Sequence, residues 1–187
     1  MTRIVNMIAA SAIGVACLAS GASASSFNIL RQGSSTVANG VAIGTVNYDL
    51  GTATGETTSA GEFALRTEPL SALGNFLAFC VDLENLYQND TGYHVSMNSL
   101  GLSTAVTENL DRLYSGSYAS LDKSCAREVG GFQLAIWDIV YDSEDGDGLG
   151  LGARSFVVNS TSTTNASSFA ENLLTNLGTA PTGRYNF

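Results

Sequence analysis

The stretch GGFQLAIWDIVYD, Gly130–Asp142, is the densest apolar run after the N-terminus and holds the only Trp of the chain. One carboxamide, Gln133, sits in its middle. Read as a helix, the run places Gln133 on one stripe with Val129, Ile136, Trp137 and Val140, at i−4, i+3, i+4 and i+7. That stripe should bury Gln133. A buried carboxamide has two donors and an acceptor to satisfy, or it destabilises the fold. Either Gln133 is a satisfied structural residue, or its amide chemistry is used. The second reading needs a nucleophile, and FLAFCVDLEN, Phe76–Asn85, supplies one in Cys80.

Around Cys80 the period changes to two. Asn75–Leu83 is predicted as the best strand, with Leu77, Phe79, Val81 and Leu83 on one face. Phe76, Ala78, Cys80, Asp82 and Glu84 take the other. Cys80 therefore faces a mixed surface that ends in carboxylates. Upstream, Gly61–Arg66 reads as a short strand with Phe63 and Leu65 together. Gly51–Ala60, GTATGETTSA, reads as a turn-rich linker. Val41–Leu50 has strand character with a phase change that a bulge at Gly44 would explain. Ser25–Gly40 reads as an edge strand or loop. Tyr87–Val95 holds a turn at Asn89-Asp90-Thr91-Gly92 and a possible return strand.

Downstream the period is helical. Ser103–Tyr114 reads as a helix with Ser103 as N-cap, Val106, Leu110, Leu113 and Tyr114 at helical spacing, and Gly116 as a stop. Ser120–Tyr141 reads as a longer helix that Gly130-Gly131 can break. Residues 142–153 form an acidic, Gly-rich loop, and Ser155–Val158 a short apolar piece. Asn165–Leu177 reads as a last helix with Phe169, Leu173 and Leu177 on its face and Gly178 as its C-cap. Thr179–Phe187 reads as a connector. Strands at about 37–96 followed by helices at about 103–178 predict an α+β fold: an antiparallel β-sandwich or barrel with a helical subdomain.

Residues 1–24 have the pattern of a secretory signal peptide: Arg3, an apolar Ile8–Ala19, and Ala22-Ser23-Ala24 as an A-x-A cleavage site. The apolar run is short for a membrane span. Gly14 stands where a lipobox around Cys17 would want Leu. The remainder, 25–187, reads as a single extracellular domain. Loss of Arg3 leaves seven basic residues against 17 acidic ones, a net charge of −10. That excludes nucleic acid as a partner and disfavours an anionic membrane surface. Two Cys remain, Cys80 and Cys125. In an oxidising compartment their default is a disulfide, worth roughly 2–4 kcal/mol. Free thiols and a Cys80–Gln133 thioester are the alternatives.

Thioester chemistry requires a Cys thiol to attack a Gln amide and expel ammonia. The bond then waits as a stored electrophile for one amine or hydroxyl, provided packing shields it from water. Phe132, Ile136 and Trp137 are the shield such a bond needs. AFCVDLEN followed by GGFQLAIWDIVYD resembles the paired signature of bacterial thioester domains of the TQxA type. Its two parts here are Phe79-Cys80-Val81-Asp82 and Gln133-Leu134-Ala135-Ile136-Trp137. The resemblance implies a Cys80–Gln133 thioester, a surface-displayed covalent adhesin, and a β-sandwich or barrel with a helical subdomain. It covers roughly Phe63–Asp142. The chain is also similar to exported PEP-CTERM-like proteins carrying FCVDL and FQLAIWEIVYD. Phe132 departs from the pattern, for the adhesins usually have Thr there. No PEP-CTERM-type sorting tail or LPxTG-like anchor is read in the sequence, so the expectation is either a simply secreted chain or one truncated before its tail.

Other candidates are weaker. His94, the only His, is a conceivable base but more often structural beside a turn. One His and no Cys cluster argue against zinc, and no G-x-S-x-G marks a hydrolase. Ser143, Asp145, Asp147 and Gly148 approximate part of a calcium loop. However, Ser stands at its first position and Arg154 at its twelfth, so a solvated acidic turn is expected. No cofactor and no metal site are expected. The sequence therefore predicts a secreted or cell-surface protein with a single-use Cys80–Gln133 linkage to an amine-bearing protein or polysaccharide-associated partner, and no turnover. The alternative is a non-covalent extracellular matrix or envelope protein without the bond.

Overall fold

The computed structural model describes residues 7–9, 28–31, 37–38, 41–42, 44–68, 75–84, 101–143, 148–152 and 155–185. His94, the turn at 89–92, Asp145 and Asp147 lie outside these residues. The architecture is mixed α and antiparallel β, and no barrel closes among the described strands. The strands are β1 (Met7–Ala9), β2 (Asn28–Arg31), β3 (Val37–Ala38), β4 (Val41–Ala42), β5 (Gly44–Leu50), β6 (Ala53–Ala60), β7 (Glu62–Glu68), β8 (Asn75–Cys80) and β9 (Phe156–Thr161). The helices are α1 (Thr104–Ser117), α2 (Ala126–Asp142) and α3 (Ala166–Thr175). One sheet has the order β1-β8-β7-β2, another β6-β5-β9, and β3 pairs with β4.

Several expectations about the strands need correction. Gly51–Ala60 is not a linker. It contains β6, joined to β5 by the two-residue turn Gly51-Thr52, with Gly51 at φ 57°. A two-residue hairpin favours Gly at such a position because it has no Cβ to clash. The irregularity expected at Gly44 sits elsewhere. Thr54 and Gly55 together oppose Asp49, whose carboxylate accepts the Gly55 N–H at 2.6 Å. Asn159 is the extra residue between the β5 and β9 registers, and it donates to the same carboxylate at 2.8 Å. Strands do not all precede helices either. β9 follows α2 in the chain yet completes the sheet beside β5.

The helices form for the reasons the sequence offers, with shifted bounds. The Ser103 hydroxyl accepts the Val106 N–H and caps α1, satisfying one orphan donor of the first turn. Gly116 does not stop α1, which runs to Ser117. α2 starts at Ala126 rather than Ser120 and passes unbroken through Gly130-Gly131. Gly131 serves close packing. A Cβ on Gly131 would meet the Ala166 carbonyl oxygen at 2.7 Å and Phe169 at 2.9 Å, so α3 lies almost on the α2 backbone. On α3 the buried face is Ala166, Ala170 and Leu174, with Phe169 and Leu173 flanking it half-buried. Asn176, not Gly178, caps its end.

α2 is the axis of the core. Every residue from Val129 to Ile139 is buried, so the helix is enclosed on all sides rather than along one stripe. Phe132 meets Phe79 at 5.1 Å and Tyr114 at 5.0 Å between ring centroids, tying α2 to β8 and α1. Trp137 meets Phe156 of β9 edge-on at 6.0 Å. α2 thus joins both larger sheets through its aromatics, each burial contributing about 1.5–3 kcal/mol. Glu62, 1 % exposed, accepts from the Tyr118 hydroxyl at 2.8 Å and pairs with Lys123 at 3.2 Å. The Lys123 ammonium also lies 3.3 Å from the centre of the Tyr118 ring, and its burial lowers its pKa against the pull of Glu62.

Candidate functional site

The site is the end of β8 held against the middle of α2. The β7 ladder reaches Phe79, opposite Glu62, and goes no further. Cys80 is the first β8 residue beyond it. The Gln133 side chain takes over there. The Cys80 N–H donates to Gln133 Oε1 at 3.0 Å, and Gln133 Nε2 donates to the Cys80 carbonyl at 2.7 Å. A carboxamide has the donor and acceptor of a peptide group, so Gln133 stands in for a neighbouring strand. The two residues singled out in the sequence, far apart in the chain, are in direct contact. Gln133 is fully buried, as the stripe predicted.

The thiol itself is half-buried and free, as is Cys125, and no disulfide joins them. The Cys80 thiol donates to the Asp82 carbonyl at 3.0 Å, a bond inside its own chain turn. Burial pushes its pKa up to about 11, the Asp82 carboxylate adds to the rise, and main-chain hydrogen bonding at Asp82 and the Trp137 indole work against it. At neutral pH the sulfur is therefore a protonated thiol, weakly nucleophilic until its proton is removed. Ile136 and Phe132 are fully buried and Trp137 is 1 % exposed, so these apolar neighbours of Gln133 on α2 are enclosed with it.

Two supports of the site escaped the sequence. The Tyr141 hydroxyl accepts the Leu83 N–H at 2.8 Å and holds the chain just after Cys80 and Asp82. Tyr141 lies two helical turns past Gln133, a spacing that could have suggested it. Asp138 and Asp142, both buried on α2, accept the Gly150 and Phe156 N–H groups and fix the return into β9. The i, i+4 pair of acids on an otherwise apolar helix was the visible signal. Among the described residues, no group of three or more His, Cys, Asp or Glu converges as a metal site. No described helix is long and apolar enough to cross a membrane. No protein-family profile matches the chain, and no curated protein or solved structure is significantly similar to it.

Proposed function

We propose that the chain is an exported bacterial surface or extracellular protein whose Cys80 and Gln133 form an internal thioester for covalent attachment to an amine-bearing partner. The observation that carries this reading is the pair of hydrogen bonds between the Gln133 carboxamide and the Cys80 main chain. They fix the acyl carbon beside the residue that bears the sulfur, and such positioning converts an encounter into an intramolecular step. The Cys80 N–H on Oε1 also withdraws electrons from the carbonyl, as a donor for the oxyanion of attack should. Attack by sulfur on the Gln133 Cδ releases ammonia. A partner amine then takes the acyl group once, and Cys80 returns to a thiol. The N-terminal 24 residues act as a signal peptide in this reading, so β1 is lost on export and its sheet keeps β8, β7 and β2. The two larger sheets pack as a β-sandwich beside the helical portion.

A second reading has its own support. Both Gln133 bonds run to main-chain atoms, which suffices for a purely structural carboxamide, and a thiol with pKa about 11 is a reluctant nucleophile. The protein would then be a non-covalent matrix or envelope component. Intact mass of the secreted protein separates the two. The thioester predicts a deficit of one ammonia, lost in Cys80→Ala and in Gln133→Ala, and methylamine incorporated at Gln133. Full mass with both thiols alkylatable after denaturation refutes it.

A further inference from the structure

Trp137 carries the one indole of the chain, and its Nε1–H is buried without a hydrogen-bond partner. Leaving such a donor unsatisfied costs about 1–3 kcal/mol, so its position asks for a reason. Trp137 stands one helical turn beyond Gln133 on the same face of α2, and Gln133 is bound to the Cys80 main chain. Cys80 packs against the core cluster that holds this indole, and the Trp137 side chain favours its anion. We propose that the Trp137 Nε1–H is the hydrogen-bond donor that receives the Cys80 sulfur as a thiolate. The inference rests on the thioester reading for its purpose, though not for its test.

Thiols and thioesters are weak acceptors, whereas an ionised sulfur is a strong one. The indole donor is therefore poorly used in the resting states and well used only when charge collects on sulfur. Catalysis needs that difference. In formation, the thiol gives up its proton, the sulfur attacks Gln133 Cδ, and the C–N bond breaks. The departing NH2 group takes the thiol proton and leaves as ammonia. In opening, the partner amine attacks Cδ, the C–S bond breaks, and the sulfur leaves with the bonding pair, then accepts the proton the amine releases. Trp137 holds the sulfur in both steps.

The surroundings make this donor necessary. The Asp82 carboxylate opposes ionisation of the sulfur. Tyr48 of β5 and Tyr141 of α2 also interact with Cys80, both with hydroxyls whose own pKa is raised by burial, and Glu56 and Glu84 press on those tyrosines in turn. None of these groups supplies positive charge. Among the described residues, Trp137 is the side chain that favours the thiolate.

The test uses Cys125→Ser protein, treated with methylamine so that Cys80 is free on either reading of Gln133. Its apparent thiol pKa is taken from the pH dependence of iodoacetamide alkylation. Trp137→Phe keeps an aromatic ring and removes the N–H. The midpoint should rise by about one pH unit, a tenfold loss of thiolate at fixed pH. A midpoint that is unchanged or falls overturns the proposal. If Trp137→Phe does not fold, the benzothiophene analogue of Trp at position 137 preserves the shape without the donor and must give the same rise. Where the untreated protein lacks one ammonia, the methylamine reaction should also slow at least tenfold in these variants. Absence of that deficit defeats the thioester reading while leaving the pKa comparison decisive for Trp137.

Discussion

Removing the Gln133 carboxamide should cost more than any other single polar change at the site. The clean experiment starts from Cys80→Ala. That variant cannot form a thioester, yet it keeps both hydrogen bonds because they use the main chain of residue 80. Adding Gln133→Met conserves length and apolar bulk and deletes the donor and acceptor. The residue-80 N–H and carbonyl are then left unpaired beside a fully buried helix. Each unsatisfied group costs about 1–3 kcal/mol, so the pair should cost about 2–6 kcal/mol. For a domain of this size that corresponds to a fall in Tm of roughly 4–24 °C. Urea unfolding followed by Trp137 fluorescence gives the value, since the single indole reports on this same junction. A loss below about 1 kcal/mol would show that water or a shifted backbone satisfies residue 80 without Gln133, and the argument that the carboxamide pins β8 to α2 would fail.

Three further outcomes follow from the packing and charges. Gly131→Ala should destabilise by several kcal/mol, because its Cβ meets the Ala166 carbonyl, whereas Gly130→Ala, with nothing nearer than 3.8 Å, should be neutral or gain up to about 1 kcal/mol in helix propensity; urea melts of the two variants measure the contrast. Cys80 in its free-thiol form is neutral in both states below its ordinary value of 9.0, so its contribution is fully present there and is lost as pH rises towards about 11, amounting to about 3 kcal/mol. Tyr114, Tyr118 and Tyr141, all raised by burial, extend that loss further into alkali, and unfolding midpoints from pH 8 to 11 should decline accordingly. Asp111 accepts the Gly183 and Tyr185 N–H groups and the Ser115 hydroxyl, and although burial opposes it, these bonds hold its carboxyl below the usual carboxylate range. Asp111→Ala should release the segment around Arg184, seen as faster tryptic cleavage there with the fold otherwise unchanged.

What was legible in the sequence was periodicity and run length. GGFQLAIWDIVYD gave its helix and its buried Gln through length, since eleven consecutive enclosed residues carry no stripe but outrun an ordinary buried strand. Ser103 gave its cap, and LAFCV gave its strand. What was hidden depends on partners distant in the chain. Ala53–Ala60 has no apolar alternation because it is a largely exposed edge strand, held by the ladder to β5 rather than by burial. Its run of Thr was the sole local hint. Gly130-Gly131 looked like a helix break because propensity ignores neighbours, and only the approach of α3 explains the missing side chain. At the site, the sequence offered a Cys and a Gln but not their contact. The bonds run from a side chain to a main chain, and main-chain partners leave no trace in residue identity. Glu62 was unreadable for a related reason, since its burial depends on Lys123 and Tyr118 beyond the strands.

The enclosure of α2 has a mechanical consequence. A tether attached at Gln133 would deliver its load to the middle of a helix wedged against α1, α3 and both larger sheets, and not to a surface loop. Pulling there strains many contacts in parallel before any one of them yields. The Gly183–Tyr185 segment held by Asp111 joins the same body through α1. If the proposed linkage at Gln133 carries load, that load would cross the folded core, so the domain should yield at high force, as one unit.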